Sequence, residues 1–327
     1  MTQAVIAVPV ATVWSSPDAP GPADALALGP HPDVPAWTAS LGHERRLGLL
    51  GRVETQALWG DPVTVLAERG GWAHVVLPGQ PSGRHPDGYP GWIPAVQVCA
   101  GEEDLYSEWS VVAVTRTVRG TLADSQRPVQ VSFGTRLRLP GPSAGPAPCV
   151  EDPCGKDPCG KDPCGEELGG SDTWAYTGSG HRLRLPAAAL SPIPLPADAD
   201  AGAAADGAAI AEAALGFAGL AYLWGGASGF GLDCSGLAWI SHRRHGIVVP
   251  RDAHDQAASG QPVALDALER GDLVFFAEQP TGRIHHVGIA LDRDRMVHSP
   301  RTGRTVEVLP LAAEPYASEL ASARRYH

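Results

Sequence analysis

The chain has 327 residues, with 25 Lys and Arg against 36 Asp and Glu and a formal charge of -11. That length allows two or three modules, each with its own core, and the negative balance disfavours nucleic acid or an anionic membrane as the main partner. No stretch reaches the roughly 20 apolar residues that span a bilayer, and Met1 to Trp14 carries no basic n-region, so the reading is of a cytoplasmic protein with no membrane partner.

The first hundred residues alternate short β-rich runs with turn residues. Ala4 to Val8, Gln56 to Leu58, Pro62 to Ala67, Trp72 to Leu77 and Gly91 to Ile93 predict a small all-β barrel over residues 1–105. A weaker set, Val111 to Thr115, Val129 to Val131, Thr135 to Leu139, Thr173 to Thr177 and His181 to Leu185, predicts a second barrel of the same kind over 106–190. Within it the unit Asp-Pro-Cys-Gly repeats from Asp152, Asp157 and Asp162. Pro and Gly in every unit exclude an inner strand or a helix, so the repeat reads as an exposed loop. Cys149, Cys154, Cys159 and Cys164 offer thiolates to a soft metal, but structural zinc sites pair cysteines two to four residues apart, so the repeat is read as a surface insertion and no metal is assigned.

Residues 191–206, rich in Pro, Ala and Asp, read as a linker. Beyond it, Ala208 to Leu220 and Leu232 to His245 predict helices. Asp272 to Ala277, His286 to Asp292, Met296 to Ser299 and Thr305 to Leu309 predict strands, which makes 207–327 an α+β domain.

Chemistry concentrates around Cys234. Four glycines precede it in Tyr222-Leu-Trp-Gly-Gly-Ala-Ser-Gly-Phe-Gly-Leu-Asp-Cys-Ser-Gly, and it stands where a helix begins, with Asp233 as N-cap. The amides and dipole of a helix N-terminus favour thiolate, drawing the pKa down from about 8.5. A lone cysteine is more often a buried structural thiol, but histidines follow. In Arg283-Ile-His-His-Val-Gly-Ile-Ala, period two sends His285 and His286 to opposite faces. His286 shares parity with the small residues Gly288 and Ala290, which leave room for a packed helix, so His286 is read as the base and His285 as the solvent-side residue. On the next strand His298 either orients the His286 ring through its far nitrogen or is a polar strand end.

Tyr222-x-Trp-Gly-Gly, Leu232-Asp-Cys-Ser-Gly-Leu, Pro250-Arg-Asp-Ala, Gly271-Asp-Leu-Val-Phe-Phe and His286-Val-Gly-Ile-Ala, in this order, resemble the NlpC family of papain-like cysteine peptidases. The resemblance implies a papain-like α+β domain preceded by two SH3-like barrels, a nucleophile at Cys234, His286 and His298 as its partners, and no metal or organic cofactor. Tyr222 matches a position that lines the catalytic centre. Val53-Glu-Thr-Gln-Ala-Leu-Trp-Gly-Asp-Pro, Gly71-Trp-Ala-His-Val and Asp87-Gly-Tyr-Pro-Gly-Trp-Ile resemble the SH3-like barrel of γ-D-glutamyl-L-diamino acid endopeptidases, which cut murein tripeptides or tetrapeptides bearing a free N-terminal L-Ala during cell-wall peptide recycling. Glu54 and Tyr89 then match positions that meet the amine, and Asp233, Ser235, Arg251 and Asp252 match cleft positions. A buried ammonium needs carboxylates and acceptors, which Glu54 and Asp233 supply in this reading. Read without the resemblance, Glu54 is a solvated turn residue and Tyr89 a core aromatic. The alternatives in function are an amidase or acyltransferase on the same fold, or a non-catalytic wall-binding protein.

Overall fold

The computed structural model describes residues 1–101, 110–139, 171–193 and 206–327. The repeat holding Cys149 to Cys164 and most of the 191–206 linker lie outside them. The first seven strands are β1 (Thr2–Ile6), β2 (Val10–Trp14), β3 (Val53–Leu58), β4 (Pro62–Arg69), β5 (Trp72–Leu77), β6 (Tyr89–Pro94) and β7 (Val98–Cys99). They pair antiparallel in the order β3-β2-β6-β5-β4-β1-β7 around Ile6, Val8, Val13, Val63, Val75 and Ile93, giving the expected SH3-like barrel.

Strand β2 was not foreseen, for a physical reason. All five of its residues are buried, because Ala11 and Val13 face the barrel core while Val10 and Trp14 are covered from outside. A strand buried on both faces loses the alternation that identifies it in sequence. The cover is an insertion between β2 and β3 that carries helices α1 (Val34–Ser40) and α2 (His43–Leu47). Its Trp37 packs on Trp14 and donates from Nε1 to buried Asp24 at 3.1 Å.

The second barrel consists of β8 (Ser110–Val114), β9 (Val118–Leu122), β10 (Pro128–Val131), β11 (Arg136–Leu139), β12 (Asp172–Tyr176), β13 (Arg182–Pro186) and β14 (Leu190–Pro192). Its order, β10-β9-β13-β12-β11-β8-β14, repeats that of the first barrel strand for strand. The C-terminal unit holds α3 (Gly207–Leu215), the short hairpin β15 (Ala227–Ser228) and β16 (Gly231–Leu232), α4 (Cys234–Arg243) and α5 (Ala253–Ala258). A six-stranded sheet follows, from β17 (Gln261–Val263), β18 (Leu273–Glu278), β19 (Arg283–Ala290), β20 (Arg295–His298), β21 (Glu307–Pro310) and β22 (Leu320–Arg325), with α6 (Tyr316–Glu319) before the last strand. The sheet order is β17-β22-β18-β19-β20-β21. Helix α3 stops five residues short of the expected Leu220, because Gly216 caps it and Gly219 adopts φ +86°, a conformation glycine takes without a Cβ penalty.

The three units are locked by inserted aromatics. Trp59, in the turn after β3, lies in the core of the second barrel with Val112, Leu137 and Leu183 and donates to Ser179 Oγ at 3.0 Å. Phe133, in the turn after β10, lies in the core of the C-terminal unit, edge-on to Phe217 at 4.8 Å. Each is followed by a glycine at positive φ, Gly60 (+75°) and Gly134 (+79°), where an added Cβ would come within 2.7 Å of the Gly178 amide nitrogen or 3.0 Å of the Ile240 side chain.

Candidate active site

Helix α4 is capped by Asp233, whose Oδ1 accepts from the Gly236 amide at 2.6 Å. This cap sets Cys234 at the first helical position, where the orphan amides of a helix gather. Gly236 permits it, since a Cβ there would lie 2.0 Å from the Gly226 carbonyl oxygen. The face of α4 bearing Leu237 and Ile240 packs on Val287 and Ile289. Here the sequence reading is corrected: the space beside Gly288 is filled by the Met296 side chain, 2.6 Å from where a Cβ would stand, and not by the helix. His286 is nevertheless the histidine turned inward, 4% exposed. A bulge in the β18–β19 ladder, where pairing steps from His286 to Ile284, leaves His285 outside, facing Glu319 at 3.2 Å.

The Cys234 sulfur is near enough to the backbone amides of Val287 and Ser235 for both to favour its thiolate form, and Val287 is the residue after His286. His286 Nε2 lies 2.8 Å from His298 Nδ1, and His298 Nε2 lies 3.5 Å from Glu307 Oε1. Tyr316 of α6 covers both rings, with centroids 5.4 Å from His286 and 4.9 Å from His298. The sequence reading missed Glu307 and Tyr316. Glu307 had a visible signal in its register opposite His298 across β20 and β21; Tyr316 had none, because only the chain's return over the sheet brings it there.

Burial sets the protonation of this pair. It pushes the Cys234 thiol up to about 12, with Asp233 adding to the shift and the Val287 and Ser235 amides opposing it. It also drives His286 well below its ordinary value, helped by His298 and His285, and brings His298 to about 4. The pull expected from the helix N-terminus is thus outweighed by desolvation. Burial therefore favours the uncharged form of each group. Tyr222, 7% exposed, is pushed well above its ordinary range, first by burial and then by Cys234 and Asp233. Its hydroxyl therefore keeps its proton.

A second constellation joins this centre to the first barrel. Arg251 is 1% exposed and uses each of its donors: Nε to Thr55 Oγ1 (2.8 Å), Nη1 to Asp233 Oδ1 (3.0 Å) and Ser235 Oγ (2.9 Å), Nη2 to Asp233 Oδ2 (2.8 Å) and the Gly226 carbonyl (3.2 Å). Thr55 passes its hydrogen to Gln80 Oε1 at 2.7 Å, and Trp224 Nε1 donates to the Val53 carbonyl at 3.1 Å. Glu54, beside Thr55, and Asp252, beside Arg251, come together around Tyr89, whose hydroxyl donates to Asp252 at 3.2 Å. Glu54 is paired with Arg84, which also donates to Tyr89 Oη at 3.2 Å. The sequence reading put Asp233 with Glu54 as the carboxylates for an ammonium. Asp233 is instead fully engaged by Arg251, and Asp252 is the carboxylate that shares Tyr89 with Glu54. Asp252, His254 and Asp255 bring ligand atoms within 4.8 Å of one another, but the two carboxylates already accept from Tyr89 and the Gly83 amide.

A thiol at a helix N-terminus, beside a buried imidazole that a second polar ring holds in place, is the arrangement of nucleophile and base, and on this α+β scaffold it defines the class as a papain-like cysteine peptidase. Comparison with known proteins makes the assignment specific. Residues 219–325 match the NlpC/P60 family, and residues 51–98 match the bacterial dipeptidyl-peptidase SH3 domain. The γ-D-glutamyl-L-lysine dipeptidyl-peptidase of Bacillus cereus is 34% identical over 99% of this chain and 91% of its own length, and that of Bacillus subtilis is 34% identical over 97% and 96%. The crystal structure of an NlpC/P60 family protein from Bacillus cereus superposes with a TM-score of 0.83 at 32% identity, covering 99% of both chains. The chain belongs to the NlpC/P60 family of cysteine peptidases.

Proposed function

We propose that the protein hydrolyses the γ-D-glutamyl-diamino acid bond of murein tripeptides or tetrapeptides whose N-terminal L-Ala amine is free. The observation that carries this reading is the grouping of Glu54, Tyr89 and Asp252 beside Arg251, which is bonded to Asp233, the residue before Cys234. Two carboxylates and a phenol gathered in one place suit an ammonium, since a partly buried cation needs anionic partners and acceptors. The names of the two Bacillus relatives support the bond and the class of substrate.

In this mechanism His286 takes the Cys234 proton as the sulfur attacks the γ-glutamyl carbonyl. His298 holds the His286 ring by its far nitrogen, and Glu307 backs His298. The Tyr222 hydroxyl and a backbone amide at the start of α4 stabilise the oxyanion. His286 then protonates the leaving amine, and water opens the thioester. Asp233, Ser235 and Arg251 position Cys234 and the amine pocket. The domains that go with this reading are a substrate-gripping barrel over 1–105, a second barrel over 106–190, a linker over 191–206 and the catalytic domain over 207–327. Among the described residues no helix is long and apolar enough to cross a membrane. The reading extends to recycling of small cell-wall peptides in the cytoplasm.

The test is incubation of the protein, with a Cys234→Ala control, with L-Ala-γ-D-Glu-L-Lys and its N-acetylated form, followed by mass spectrometry. Release of L-Ala-γ-D-Glu from the free-amine peptide alone, absent in the control, is the expected result. Equal cleavage of both peptides would sink the amine pocket, and cleavage of neither would sink the assigned bond.

A further inference from the structure

The loop between β5 and β6, residues 78–88, is pinned at several points. The Gly83 amide donates to Asp255 at 2.8 Å, the Arg251 amide donates to the Pro81 carbonyl at 2.9 Å, and buried Gln80 donates to the Gln56 carbonyl at 2.7 Å. From this fixed base Arg84 reaches across the pocket. Its two terminal nitrogens hold both oxygens of Glu54, it donates to Tyr89 Oη, and its guanidinium carbon lies 5.2 Å from the centre of the Tyr89 ring. The Arg84 side chain is 43% exposed, whereas Glu54 is 18% exposed. A primary ammonium carries one positive charge and three donors. The acceptors within its reach here are those that Arg84 already occupies, together with Asp252.

We propose that Arg84 stands in the ammonium subsite as an internal competitor, so that substrate binds by displacing its guanidinium from Glu54 and Tyr89, and Arg84 thereby sets KM for free-amine peptides. This inference rests on the assignment of Glu54 and Tyr89 to the amine pocket. Arg84 spans both Glu54 oxygens and Tyr89 Oη, so an ammonium arriving there competes for the same acceptors and meets the like charge of the guanidinium. Half-exposed ion pairs are weak, which makes the displacement feasible, and the loop need not move because the Arg84 side chain already borders solvent. The apparent affinity is the intrinsic affinity reduced by the fraction of molecules in which Arg84 has swung clear.

Steady-state kinetics on the full chain test this with L-Ala-γ-D-Glu-L-Lys and its N-acetylated form, comparing the natural protein with Arg84→Gln and Arg84→Lys. Arg84→Gln lowers KM for the free-amine peptide by roughly three- to tenfold with kcat unchanged. Arg84→Lys, which keeps a cation on the loop, stays near the natural value, and the acetylated peptide remains poor with all three proteins. An unchanged KM in Arg84→Gln overturns the proposal. A raised KM also overturns it, because Arg84 would then grip the substrate, and an equal fall for the acetylated peptide would reduce Arg84 to a steric obstacle. If the natural protein cleaves both peptides equally, the amine pocket itself fails, an outcome visible before any Arg84 variant is made.

Discussion

The two barrels share one strand order, yet they meet the peptidase unit with different chemistry. Counting back from Trp59-Gly60 and from Phe133-Gly134, Glu54 and Thr55 of the first barrel correspond to Pro128 and Val129 of the second. One pair reaches Arg84 and Arg251; the other is an edge proline and a buried valine. Counting back from Pro94 and Pro186, each followed by a short 3-10 turn, Tyr89 corresponds to His181, whose ring packs on Trp59 at 5.1 Å. Loops differ as well. The first barrel carries a long insertion between its second and third strands and an eleven-residue loop, 78–88, before its sixth strand; the second has the short turns 123–127 and 177–181. A common scaffold has thus been turned once toward the cleft and once toward structural support, which is the sense in which sites are grafted onto folds.

The strongest test of this division is the Arg251 bridge. Arg251→Leu leaves Asp233 buried without its cation and should cost about 3–5 kcal/mol, read by urea denaturation, together with a loss of kcat/KM as the cap of α4 loosens. Substitutions at the joints should be of similar size but a different kind. Trp59→Ala and Phe133→Ala each remove a buried aromatic, at about 3–5 kcal/mol, and calorimetry should show the units melting further apart in temperature than in the natural protein, while the folded fraction keeps its KM.

A smaller effect is expected in the pocket. Under the proposed function, Glu54→Gln removes a charged partner of the substrate amine and should raise KM by about ten- to a hundredfold for free-amine peptides, with melting temperature nearly unchanged. If stability fell instead, the first barrel would be support like the second. Acid should act on the peptidase unit before the barrels. Burial holds His242 and His298 at about 4, against about 6.5 in an unfolded chain. The unfolded chain binds more protons between those values, so the stability they contribute is complete above about pH 6.5 and lost as pH falls through about 4. Melting curves from pH 7 to pH 4 should show it, and His242→Gln should flatten the trend. The least change is expected from Tyr89→Phe, about two- to tenfold in KM, the worth of one hydrogen bond.

Much of this site was legible in the sequence because it rests on local features. The N-cap at Asp233, the glycines before Cys234 and the choice between His285 and His286 are all written within a few residues. What the sequence hid depends on contacts made from afar. Strand β2 was disguised by its double burial, Asp252 could be told from Asp233 only once Arg251 was seen to occupy the latter, and Arg84 reads as an ordinary loop arginine until β3 brings Glu54 under it. The parity argument for His286 reached the right side chain through the wrong neighbour, since Met296 and not α4 fills the space above Gly288.

The two aromatic joints also give the chain a direction. Each barrel lodges its aromatic residue in the unit that follows it, so Trp59 leaves the ribosome before its socket has been made, and Phe133 must await Phe217 and the core of the peptidase unit. Growing from the N-terminus, the nascent chain carries an uncovered aromatic at each stage of synthesis, and maturation is completed from the far end backward.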